Sequence, residues 1–310
     1  MKPNIQTHGD ELEFLKSQGF AVNPFNKYAN DLEEVWRLRK NLEKEREKLH
    51  YGIDGMVVKI NHIGVAQAAG VVGKTPRAHC AIKFAAQEAT SKLTNLVWQV
   101  GRTGKVTPVA EFEPTEVAGT TVRRATLHNY KEFNELNPHS GDTIVIRKAG
   151  DIIPEVVSLL SNLRPKRAEM YEAPVNCPEC STSLTISKSG VDLECPNSKL
   201  CPAQVLGRLS YFTQRSVANI NGLSQKQIQK FIQLYNVRDL YDLYNLPYAE
   251  IKQLEGFGER SASNLKSAID KASLIPDKHF LAGLSIEGVG KEVAALIIEK
   301  IYSKLHDTKD

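Results

Sequence analysis

LTNLVWQVGR (93–102), KVTPVAEFEP (105–114), TTVRRATLHN (120–129) and GDTIVIRKAG (141–150) follow one another in the middle of the chain. Each run is rich in β-branched residues and bounded by Gly or Pro, the pattern of a short strand between turns. One helical stretch, YKEFNEL (130–136), interrupts them. About five short strands with one inserted helix over about 70 residues suit a small closed barrel of the OB type. The barrel is expected at residues 89–163. Its basic residues are Arg102 in the turn VGRTGK, Arg123 and Arg124 in a strand-like run, and Arg147 and Lys148 before AGD. Barrel faces and loops of this kind commonly track a nucleic-acid backbone, although each arginine alone reads as an ordinary surface charge.

Downstream, LRPKRAEMYEAP (163–174) reads as a linker to Cys177, Cys180, Cys195 and Cys201, a C-x2-C-x14-C-x5-C array; Cys80 stands apart. Zn²⁺ accepts four thiolates as a tetrahedron, and a C-x2-C turn spans one edge of it with little strain. Four cysteine ligands leave no open position, so the expected role is structural. Cys80, before the apolar run AIKFA, reads as a buried small hydrophobe rather than a nucleophile.

Beyond Cys201 the strands stop and a repeat begins. LEGFGERSASNLKSAI from Leu254 and IEGVGKEVAALIIEKI from Ile286 superpose Gly256 and Gly258 on Gly288 and Gly290. A third copy, INGLSQKQIQKFIQLY from Ile220, keeps Gly222 but has Ser224 where the second glycine falls. Each copy is a glycine hairpin followed by an amphipathic helix. Such a hairpin turns amide N–H groups outward at a helix N-terminus, where a phosphate oxygen is well held. A lone hairpin would be a plain helix–helix turn; repetition favours a helix-hairpin-helix clamp on the DNA backbone, independent of sequence and sensitive to salt.

Upstream, residues 1–52 read as helical, with Asn30 or Asp31 capping LEEVWRLRKNLEKEREKL. IDGMVVKI (53–60) reads as a short buried strand and AIKFA (81–85) as another. Lys59 and Lys83, projecting from these strands, suit a phosphate pocket, although they could equally snorkel to solvent at strand ends. Strict alternation places Asp54 and Lys59 on opposite faces, which argues against a shared ligand.

Charged residues at 25% and apolar residues at 41% exclude wholesale disorder and a collagen-like chain. The sequence has no apolar run near the roughly 20 residues of a membrane helix, and MKPNIQTHGDEL is not a signal peptide, so a cytoplasmic protein without membrane partners is expected. The net charge is only +4, but with 40 Lys and Arg an anionic partner can be met by local patches.

The order strands, barrel, cysteine cluster, hairpins resembles the bacterial NAD-dependent DNA ligases over nearly the whole chain. IDGMVVKIN is similar to their nucleotidyltransferase motif and AIKF to a later lysine motif; VGRTGKVTPVAEFEP, ATLHN and IRKAGDIIPEVV are similar to their OB segments. The resemblance implies a multidomain α+β chain: the C-terminal part of a nucleotidyltransferase (ATP-grasp-like ligase) adenylation domain at 1–88, the OB fold at 89–163, a four-cysteine zinc finger at 170–205 and an incomplete helix-hairpin-helix domain at 206–310. These enzymes transfer AMP from NAD to a lysine, then to the 5′-phosphate of a nick in duplex DNA. The 3′-hydroxyl then displaces it with Mg²⁺ or Mn²⁺. By matching positions, Lys59 and Lys83 would contact the adenylate, and Asp54 would serve in the nucleotide site near the metal or nucleophile. Arg46 would stand in, on the poorest local match, for an upstream arginine of the pocket, and Arg102 would meet DNA.

Two departures bear on activity. The adenylated lysine of the family lies in K-x-D-G, and this sequence has none; in YGIDG, Gly52 stands where the lysine would. The family's N-terminal segments, a fourth hairpin and a BRCT domain lie outside the chain. The chain is therefore expected to be a monomer that cannot adenylate itself, with the remaining ligase segment as a partner in trans. The rival expectation is a non-catalytic clamp on nicked DNA.

Overall fold

The structure, a computed structural model, describes residues 5–149 and 153–307. Gly150 and Asp151 of the IRKAGD segment lie outside the described residues. The chain forms two compact units, residues 1–87 with 148–153 and residues 88–147 with 154–310.

The first unit opens with α1 (His8–Ser17) and α2 (Leu32–Glu45). Thr7 and Asp10 close a capping box on α1, and Asp31 accepts from the Glu34 N–H to start α2. Then come β1 (Gly55–Lys59), α3 (Ile63–Ala68), a small hairpin of β2 (Val71–Val72) and β3 (Thr75–Pro76), and β4 (His79–Lys83). β1 and β4 pair antiparallel, Gly55 opposite Lys83 and Lys59 opposite His79. The expectation of a buried β1 is overturned: Val57, at its centre, is 57% exposed. β1 has β4 as its only strand partner among the described residues, and Val57, Lys59, His79, Ala81 and Lys83, which share one face of the pair, are all exposed. Cys80 is likewise exposed, which corrects its reading as a small hydrophobe before a buried run. Phe20, Tyr28, Leu32 and Trp36 also present apolar surface to solvent.

The second unit is built on β5 (Glu88–Val100), β6 (Lys105–Val117), β7 (Thr120–Thr126), α4 (Tyr130–Leu136), β8 (Thr143–Ala149) and β9 (Ile153–Leu159). The strands run β6–β5–β8–β9–β7 and β7 pairs back to β6, closing a five-stranded barrel. Alternation along β6 sends Val106, Pro108, Ala110 and Phe112 inward. Ala110 and Phe112 join Leu93, Leu127, Ile144 and Ile146 in the barrel core, while Val106 packs with the cysteine cluster. Asn129 caps α4, which closes the barrel with Phe133, edge-on to Trp98 at 4.9 Å between ring centroids.

Short strands β10 (Thr185–Ile186) and β11 (Leu193–Glu194) carry the cysteine module, and β11 pairs with β6 at Val106 and Lys105, so the module extends the barrel sheet. The remaining elements are α5 (Pro202–Thr213), α6 (Gln225–Tyr235), α7 (Leu240–Tyr244), α8 (Tyr248–Ile251), α9 (Glu259–Ala272), α10 (Asp277–Gly283) and α11 (Lys291–Asp307). Phe212, Phe231, Leu243, Ile251, Leu265 and Ile269 form a core shared by α5 to α9.

Candidate functional site

The four clustered cysteines converge. Their sulfurs all lie within 4.8 Å of one another, with Cys180 Sγ 3.5 Å from Cys195 Sγ. Tetrahedral zinc with 2.3 Å bonds needs sulfur–sulfur edges of about 3.8 Å, so the donor set fits Zn²⁺ in both chemistry and spacing. The backbone prepares it: the Cys177 N–H donates to Thr182 O at 2.8 Å, and the Cys195 N–H to Gly104 O at 2.9 Å. Burial pushes the Cys195 thiol up to about 12 and raises that of Cys201. Burial also opposes ionisation of Cys180, but hydrogen bonds from the Thr182 hydroxyl and backbone outweigh it and bring that thiol to about 6. Gln204 was not singled out by sequence reasoning, since PAQVL reads as ordinary helix. It is buried, and its Nε2 donates to Cys195 O at 3.0 Å.

In the first unit, Asp54 and Lys83 form an ion pair at one end of the β1–β4 ladder. Arg46 stands nearby, its guanidinium 5.9 Å from the Phe84 ring, and adds to the field that favours the Asp54 carboxylate. Arg39 donates to Lys83 O at 3.1 Å from below. The Lys83 hydrogen bond holds the Asp54 carboxyl below the usual range. The stabilisation from that pair is therefore present above about pH 4 and fades as pH falls through the depressed value.

Lys59 lies at the other end of β1. The register puts Lys59 and Lys83 on one face with exposed Val57 between them, about 13 Å apart along the strand. Asp54 precedes the strand and sits with Lys83, not with Lys59. Lys59 Nζ is 3.4 Å from His8 Nε2, beside a cavity of about 280 Å³ lined by His8, Ile63, Gln67, Ala78 and His79.

Gly55 is dictated by this ladder: a Cβ there would stand 2.4 Å from Ile82 O and 2.8 Å from Lys83 Cα. Gly55→Ala is expected to destabilise the first unit by roughly 1–3 kcal/mol, seen as a lower urea midpoint with the second unit's transition unchanged. An unchanged midpoint would contradict this packing.

The three hairpins share one backbone. Gly222, Gly256 and Gly288 have φ of 83°, 83° and 74°, the left-handed region. The second position is different: Gly258 caps α9 at φ −143°, and a Cβ at Gly258 or Gly290 would meet nothing within 4 Å. Ser224 occupies the matching place ahead of α6, accepting from the Gln227 N–H in a capping box. The first hairpin therefore keeps the left-handed glycine of the other two, with a serine in place of glycine at the capping position.

Of the barrel cations, Arg124 pairs with Glu111 at 3.3 Å and Arg147 with buried Glu155 at 2.5 Å. His128, at φ 62°, reaches the same Glu155 at 3.2 Å. Arg102 remains exposed in the β5–β6 turn.

Residues 1–87 match the NAD-dependent DNA ligase adenylation domain, and residues 90–168 match the NAD-dependent DNA ligase OB-fold domain. The DNA ligase of Parasynechococcus marenigrum strain WH8102 is 44% identical over 293 residues, covering 94% of this chain and 43% of that protein. The DNA ligase of Bacillus cereus strain AH187 is 40% identical over 295 residues, 95% of this chain and 44% of that protein. The chain belongs to the NAD-dependent DNA ligase family and spans less than half the length of the curated relatives it matches. Among the described residues no helix is long and apolar enough to cross a membrane.

Proposed function

We propose that this chain is the nick-engaging part of an NAD-dependent DNA ligase, clamping duplex DNA with its barrel and hairpins and offering half of the adenylate pocket. The observation that carries the clamp is the second hairpin position. Neither conformation nor packing requires glycine at Gly258 and Gly290, and the open space beside their Cα atoms leaves room for an outside ligand. The N-termini of α6, α9 and α11 then turn a favourable dipole toward phosphate oxygens; the Ser224 and Gly258 N–H groups, which donate to Gln227 Oε1 and Ser261 Oγ, exchange these caps for phosphate on binding.

The pocket half is the open face of β1 and β4. Exposed Val57 offers a base an apolar floor, and Lys59 and Lys83 stand at its two ends to offset phosphate charge. NAD supplies the adenylyl group when bound. Arg46 and Lys83 keep Asp54 ionised beside that floor. Mg²⁺ fits less well: the described residues of this face offer it Asp54, which is already paired with Lys83, so no step is routed through the metal here. Zn²⁺ held by Cys177, Cys180, Cys195 and Cys201 is structural.

The exposed Phe20, Tyr28, Leu32 and Trp36 give the rest of an adenylation domain, covalent or in trans, an apolar surface to cover. With no K-x-D-G in the sequence, the chain alone does not take up AMP. Incubated with NAD and Mg²⁺, its intact mass stays unchanged while it still binds nicked duplex. A stable AMP adduct would refute this. The sequence observation also favours a second reading, a clamp without chemistry. Sealing of a nick already carrying 5′-adenylate, with the segment bearing the lysine added in trans, separates the two readings.

A further inference from the structure

Arg102 sits in the turn between β5 and β6, yet its side chain is held by a helix far away in sequence. Its guanidinium carbon lies 4.1 Å from the centroid of the Tyr211 ring on α5. One turn earlier on the same helix, Gly207 leaves room for the stem: a Cβ at Gly207 would stand 2.7 Å from Arg102 Cβ and 3.0 Å from its Cα. Glycine is the poorest former of a helix interior after proline, and Gly207 lies in the middle of α5. The close approach of Arg102 accounts for it.

The stacked fork is not consumed by protein partners. Among the described residues, the Arg102 guanidinium makes no hydrogen bond or ion pair, and the residue is exposed. Stacking occupies one face of the guanidinium plane and leaves the N–H edges free, the edges that grip a phosphate with two bonds. The turn itself is fixed from behind, because Gly104 O accepts from the Cys195 N–H at 2.9 Å.

We propose that Tyr211 and Gly207 are positioning residues that hold Arg102 as a pre-set fork for a DNA phosphate, so that a helix of the hairpin domain sets a contact made by the barrel. This rests on the reading of Arg102 as DNA-facing. An arginine already held in its binding geometry loses less side-chain freedom on contact, so the benefit is read in affinity.

The test is binding of the full, zinc-loaded chain to a fluorescently labelled nicked duplex at several salt concentrations. R102A is expected to weaken binding and make the log–log salt dependence shallower by about 0.9. Y211L weakens binding about fivefold, Y211F restores it because the ring face is kept, and R102A/Y211L is no weaker than R102A. G207A provides a second variant whose helix is if anything improved, yet which displaces Arg102 and weakens binding similarly. Wild-type affinity in both Y211L and G207A, with R102A weakened, overturns the positioning role alone. Wild-type affinity in R102A overturns the reading of Arg102 on which the inference rests. If Y211L and R102A lower affinity independently, the coupling is refuted.

Discussion

Cys195→Ser yields a protein without stoichiometric zinc whose second unit melts roughly 10 °C or more below the parent. The expectation follows from where the cysteine sits. Cys177, Cys195 and Cys201 are buried with Val106 of the barrel and Leu193 of β11 in one small cluster. The backbone of Cys195 joins two modules, donating to Gly104 O in the barrel turn and accepting from Gln204 on α5. A four-thiolate site contributes its binding free energy to folding directly, because the unfolded chain has no preformed site. A serine oxygen in place of one thiolate leaves three sulfurs and a poor fourth donor. Metal analysis together with a thermal melt checks the result; unchanged zinc content would remove these four residues from the metal site.

The second large effect falls on DNA binding with the fold intact. Gly258→Thr combined with Gly290→Thr is expected to weaken nick affinity more than tenfold near physiological salt and flatten the log–log slope by about 1–2. Threonine caps a helix about as well as glycine, and Gly258 already has an extended φ of −143°, so stability should hold. The added methyl and hydroxyl would fill the open space beside the Cα atoms of these two residues, where a phosphate would approach. The same change at Gly256 and Gly288 acts through the fold instead, since φ of 83° and 74° would strain a β-branched residue by on the order of 1–2 kcal/mol at each site. Binding measured beside melting temperature separates the two pairs. Unaltered affinity in Gly258→Thr/Gly290→Thr would end the assignment of these hairpins to phosphate.

The barrel was readable from sequence because a half-buried strand writes its alternation into every second residue, as Val106, Pro108, Ala110 and Phe112 do. The cysteine array was readable because metal geometry constrains spacing. Exposure of Val57 was not, since an apolar β-branched run looks the same whether its face is covered or open. Sequence shows a missing glycine at Ser224, but only the dihedrals show that the second hairpin position does not require one. The junction of Arg102 with Gly207 and Tyr211 was hidden altogether. It joins a turn to a helix distant in the chain, and no local pattern records a contact of that kind.

In the proposed function the barrel and the hairpins together grip the backbone of nicked duplex DNA. Equilibrium titration of a nicked duplex with the zinc-loaded chain, from about 50 mM to about 300 mM salt, tests it most directly. Three hairpins and Arg102, one phosphate each, predict a log–log slope of about −3 or steeper, with little dependence on base sequence. Binding that is absent at low salt, or that barely responds to salt, would contradict the account.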